Sequence, residues 1–278
     1  MILRLAITFI LLLNSFFGLA QDPLSGKLQI QNQIISLDKM RFEINADGFP
    51  KQYYIVDESL NSKPKALLYE PMHFHFYTSP KTQEKLSITN VKVLYQSVDS
   101  VVWVANSAST NLRMNVFAKM LSNGLIKYNI KITALKNIEF SAINFHIPFE
   151  KLASKYLLGL GRRKDYFRPD TVRWNESHSN ALKPRVWIGN DSLGLYLSVK
   201  NSGNWLKENT GSMQINIKGS SMLTDISTGK VVLKQSDELN FDFVLILTPM
   251  PGEQRKVSKE KQFKRYEKLE RRAANKLK

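Results

Sequence analysis

The sequence contains no cysteine, so an exported form of it cannot use disulfides and its fold must rest on its own core. No apolar run after the first twenty residues approaches the roughly 20 residues of a membrane-spanning helix, and no membrane span is expected. No helical stripe of convincing length appears before residue 254, which excludes a Rossmann fold and a barrel of alternating strands and helices. The run Gly159-Leu160-Gly161-Arg162-Arg163-Lys164 lacks both the third glycine and the following helix of a phosphate-binding loop. No pair of carboxylates stands out for glycoside hydrolysis, which needs two across the scissile bond. Linear spacing shows no Ser/His/Asp grouping, so no catalytic residue and no cofactor is expected.

Histidine is scarce, at four residues. His73 and His75 share one strand face, the spacing that could hold a metal between two imidazoles. His146 stands between Phe145 and Ile147, and His178 lies in a polar stretch. A third ligand is not evident, and no metal site is expected.

What is present begins with a leader. Met1-Ile2-Leu3-Arg4 precedes an apolar run from Leu5 to Leu13 and small residues ending Gly18-Leu19-Ala20, the pattern of a cleaved signal peptide over residues 1–20. A periplasmic or secreted location follows as an expectation. The formal net charge of +16 is uneven, because residues 254–278 hold 11 Lys or Arg against 3 Glu. That balance suits an anionic polysaccharide or a protein partner met through the tail; with an export signal, nucleic acid is disfavoured.

Between leader and tail, apolar and polar residues alternate in Met40–Ile44, Phe74–Phe76, Val91–Tyr95, Leu125–Ile132, Met213–Ile217 and Leu239–Val244. Period two means strands with one wet face. Asp47-Gly48, Ser122-Asn123-Gly124 and Asn201-Ser202-Gly203 supply turns. Residues 21–253 therefore read as one all-β domain, a large antiparallel sandwich of two sheets. Residues 254–278 read as a basic helical tail. Phe263, Tyr266, Leu269 and Ala273 could dock one narrow face, but so few apolar residues against so many charges favour a solvated tail.

The segment from Gly159 to Trp174 is cationic and aromatic. Aromatic faces stack on pyranose rings and arginine forks bind hydroxyls, carboxylates or sulfates, so Arg162, Arg163, Tyr166, Arg168 and Trp174, with Trp187, are the candidate carbohydrate- or partner-binding residues. The alternative is that Trp174 and Phe167 pin a loop whose arginines are solvated.

Ser122-Asn123-Gly124-Leu125-Ile126-Lys127-Tyr128, Leu158-Gly159-Leu160-Gly161-Arg162-Arg163, Val186-Trp187-Ile188-Gly189-Asn190 and Gly194-Leu195-Tyr196-Leu197 form an ordered series. Over roughly residues 40 to 266, the chain resembles the N-terminal β-sandwich module of large secreted bacterial proteins related to glycoside hydrolase family 123. The resemblance implies a galactose-mutarotase-like supersandwich with a short C-terminal helix. It also implies an approach to the family's catalytic barrel at Phe263-Lys264-Arg265-Tyr266; with the chain ending at Lys278, the expectation is a module without the barrel or its acidic pair. The function expected is an exported, non-catalytic module that binds or is associated with glycans. The alternatives are a cell-envelope interaction or structural module, or a truncated glycoside hydrolase fragment.

Overall fold

The computed structural model describes residues 27–56, 65–159, 162–166, 170–173, 185–199, 202–205, 212–251 and 258–275. The leader lies outside them.

The larger sheet has ten strands. Its path runs Arg162–Tyr166, Tyr156–Gly159, Arg185–Gly189, Gly194–Val199, Glu238–Thr248, Leu125–Ala134, Leu112–Leu121, Ser100–Ala108 and Ser87–Ile88, with Lys92–Gln96 also pairing Ser100–Ala108. Opposite it, the second layer is split in two. A six-stranded sheet runs Asp170–Arg173, Ser212–Lys218, Ser221–Ser227, Ala142–Glu150, His73–Ser79 and Thr82–Glu84, and a five-stranded meander occupies Leu28–Ala66. The two halves meet where a bridge pairs Leu68 with Phe149.

The core lies between the layers. Phe145 of the six-stranded sheet meets Phe243 of the ten-stranded sheet at 4.7 Å between ring centres, and Phe49 packs on Phe74, Phe145 and Tyr128. Phe42 of the meander reaches Trp103. These rings, together with the more numerous buried aliphatic side chains around them, supply the burial that holds a chain without cross-links.

The expected strands at Met40–Ile44, Leu125–Ile132, Met213–Ile217 and Leu239–Val244 all fall within observed strands. Gly48 and Gly124 take φ of +87° and +82°, the left-handed backbone for which glycine is cheapest. Two readings change. Lys92–Gln96 is exposed at every position, because it is a border strand with neither face covered. Ser202 and Gly203 open a one-turn helix, Ser202–Trp205, rather than a hairpin.

The C-terminal helix, Lys259–Asn275, is docked. Tyr266, Leu269 and Ala273 are buried against Leu125, Leu158, Trp187, Tyr196, Val244 and Ile246 on the outer face of the ten-stranded sheet. The reading of a solvated tail undercounted the partners waiting for three apolar side chains. The sheet carries the matching signature: Phe243–Leu247 is unbroken apolar sequence, as a strand buried on both faces requires. Lys127 donates to the carbonyl of Ala273 at 3.0 Å, placing a cation at the helix C-terminus where the macrodipole favours it.

Candidate functional site

The helix covers only part of the outer face of the ten-stranded sheet. Beyond Lys127, the same face carries an open groove of about 600 Å³. Strand register builds its floor in two transverse rows. Val104, Phe117, Asn129 and Asp242 form one, and Asn106, Asn115, Lys131 and Asn240 the other. Asn115 donates to Asn106 at 2.6 Å and Asn129 donates to Asp242 at 2.6 Å, so the amides are held in fixed orientation. Lys131 is tied to Glu238 at 2.7 Å. Phe117 is 41% exposed among these polar groups. A flat apolar ring beside oriented amides and a carboxylate can take the apolar face of a sugar while hydrogen-bonding its hydroxyls.

The groove residues were missed in the sequence, although a signal existed. Asparagine is depleted in strands, yet Asn106, Asn115, Asn129 and Asn240 all fall at outward positions of alternating strands. Only the pairing register brings them side by side.

The loop singled out from the sequence is placed in part. Arg162, Arg163 and Tyr166 belong to the edge strand Arg162–Tyr166 of the ten-stranded sheet; Arg168 and Trp174 lie outside the described residues. Trp187 is buried, and its indole donates to the hydroxyl of Thr248 at 3.1 Å. It lines a cleft of about 380 Å³ against the start of the helix, together with Tyr156, Asp191 and Lys259. The Lys259 ammonium sits 5.3 Å from the Trp187 ring and 5.0 Å from Tyr156, and pairs with Asp191 at 2.9 Å.

The glycines of the motif series have steric causes. A β-carbon on Gly194 would lie 2.6 Å from the Trp187 ring, and one on Gly159 would overlap the carbonyl oxygen of Arg185. Substituting Gly194 by alanine should therefore displace Trp187 and lower stability by about 1–3 kcal/mol. Chemical denaturation followed by tryptophan fluorescence measures this.

On the outward face of the six-stranded sheet, the register pairs His146 with His73 and with Asp225. His73, His75 and His146 thereby come together, with one ring nitrogen from each within 4.8 Å of the others. The third imidazole, not evident in the sequence, is supplied by strand pairing. Its cue was the alternation Phe145-His146-Ile147, which matches Phe74-His75-Phe76. Burial first, then the neighbouring His73 and His146, pushes the pKa of His75 down to about 4, so its ring is neutral at ordinary pH.

The family model described as "Glycoside hydrolase 123, third domain" matches residues 28–249; its description ranks the module third, where the sequence resemblance was to an N-terminal module. No curated protein matches. Among solved structures, a galactose mutarotase related enzyme from Lactobacillus acidophilus is 8% identical with a TM-score of 0.41, covering 82% of this chain and 99% of that one. A heparan sulfate lyase from Pedobacter heparinus is 10% identical with a TM-score of 0.43, covering 80% and 34%. An alpha-mannosidase from Enterococcus faecalis V583 is 9% identical with a TM-score of 0.48, covering 83% and 31%. These likenesses are distant, and the sandwich rests on its own strand order. With the family model matching residues 28–249 of its 278, the chain belongs to the glycoside hydrolase 123 third-domain family.

Proposed function

We propose that the chain is an exported, non-catalytic module of a glycan-handling system, and that it holds carbohydrate in the groove floored by Phe117, Asn129 and Asp242. The family membership supplies the association with glycoside hydrolysis. The observation that carries the reading is the exposed Phe117 ring set among oriented amides on the half of the sheet that the helix leaves uncovered. Among the described residues the lining carries one carboxylate, Asp242, whereas glycoside hydrolysis uses a pair flanking the bond. The leader, residues 1–20, supports a periplasmic or secreted location.

One observation favours a second reading, an envelope module that meets an anionic surface. Lys261, Lys264, Lys268 and Arg271 are all exposed and recur at helical spacing along the side of the helix turned from the sheet.

Screening the purified chain against neutral and sulfated glycans, alongside hydrolysis assays on the same sugars and on aryl-glycosides, separates these. Binding without turnover, little affected by salt, is expected for the groove. Binding to anionic polymers alone, collapsing as salt rises, would transfer the function to the helix. Robust turnover by a pure sample would overturn the non-catalytic reading.

A further inference from the structure

The groove and the helix leave unused the imidazole cluster on the other sheet. His73 Nδ1 lies 2.8 Å from the carbonyl oxygen of Pro71. That oxygen only accepts, so Nδ1 carries the proton and Nε2 carries the lone pair. His146 Nδ1 lies 2.5 Å from Asp225 Oδ1, which fixes the same tautomer and leaves Nε2 as its donor atom. His75 Nε2 stands 2.9 Å from His73 Nε2. His146 brings a third ring nitrogen into the same space, within 4.8 Å of the other two.

We propose that His73, His75 and His146 form a three-imidazole site for a divalent transition metal, with Zn²⁺ the ion whose ligand preference and geometry fit best. Zinc takes nitrogen ligands at about 2.0–2.1 Å in a tetrahedron, which spaces the nitrogens about 3.4 Å apart. The observed separations, from 2.9 Å for the closest pair to no more than 4.8 Å, bracket that value, so small ring rotations on a fixed strand register bring the three nitrogens to it. Asp225 behind His146 and the Pro71 carbonyl behind His73 are the outer partners that orient metal-binding imidazoles and raise their basicity. The fourth position falls to Glu70 or to water: Glu70 Oε1 is 3.5 Å from His146 Nε2, on a side chain 47% exposed. Asn144, paired with His75 across the strands, has a buried side-chain oxygen with no hydrogen bond, a polar group available to a metal-bound water. The cluster shares no residue with the groove, so this site stands or falls separately from glycan binding.

The test uses the untagged full-length chain, stripped with chelator and titrated with ZnCl₂ by calorimetry, with CoCl₂ titrated in parallel to read coordination from its visible spectrum. One ion per chain is expected, together with a melting temperature that climbs with free Zn²⁺ and the intense absorption of four-coordinate cobalt. Partly buried His75 is a ligand that can be removed without opening the core: His75→Ala should weaken Zn²⁺ by more than about 100-fold and abolish the cobalt bands, and Asp225→Asn should weaken it about 10- to 100-fold. His178→Ala, the one remaining histidine, should leave binding intact. Absence of binding by the folded wild-type chain, or unchanged binding in both His75→Ala and His73→Ala, overturns the proposal.

Discussion

Replacing Arg185 by methionine is expected to cost about 3–5 kcal/mol, because it strands a buried carboxylate. The Glu270 side chain is fully buried between the helix and the sheet. It accepts from Arg185 Nε at 3.0 Å, from the Tyr196 hydroxyl at 2.7 Å and from the Ser198 hydroxyl at 3.0 Å, while Arg185 also reaches Glu267 at 3.3 Å. Burial, followed by the Glu270 charge, raises the Tyr196 pKa far above the usual phenol range, so that hydroxyl remains a donor. Of these three donors Arg185 alone is charged, and Tyr196 and Ser198 are neutral hydroxyls. The double variant Arg185→Met/Glu270→Leu should recover much of the loss, since apolar groups of similar size can replace a buried pair at little cost. Urea denaturation of the three proteins measures the coupling; a single-variant loss below about 1 kcal/mol, the scale of an exposed pair, would mean that the helix does not bury this charge.

A loss of about 3–5 kcal/mol is also expected for Trp103→Ala, through the cavity left by a large core side chain. Trp103 is fully buried, packs against Phe42 and Tyr128, and donates to the Gly48 carbonyl at 2.8 Å. It therefore ties the meander to the ten-stranded sheet. Trp103→Phe keeps most of the volume and loses that hydrogen bond, which is worth about 0.5–1.5 kcal/mol. A Trp103→Ala protein as stable as wild type would show that the meander and the ten-stranded sheet do not share a core.

Much of the sandwich was legible because strand period and turn chemistry are local. Met40–Ile44 and Gly48 could be read from a handful of neighbours. The docked helix was not: burying three side chains and one carboxylate depends on Trp187, Tyr196 and Val244, which are far away in sequence. The sites were hidden for the same reason. His146 joins His73 and His75, and Asn129 joins Phe117 and Asp242, only through cross-strand register, which a one-residue slip would undo. The motif glycines were visible in the sequence, but their cause was not. Gly159 and Gly194 answer to the Arg185 carbonyl and the Trp187 ring of the neighbouring strand, so these two glycines of a conspicuous motif serve close packing between adjacent strands, while the groove lies among outward-facing asparagines.

The most direct measurement is a calorimetric titration of the full-length chain with a glycan that it retains in screening, repeated on Phe117→Ala and on the double variant Arg162→Ala/Arg163→Ala. Saturable binding by the wild type is expected, with at least tenfold weaker binding by Phe117→Ala at an unchanged melting temperature and near-native binding by the double arginine variant. Full affinity in Phe117→Ala would contradict this, and a loss confined to the arginine variant would place recognition at the strand Arg162–Tyr166.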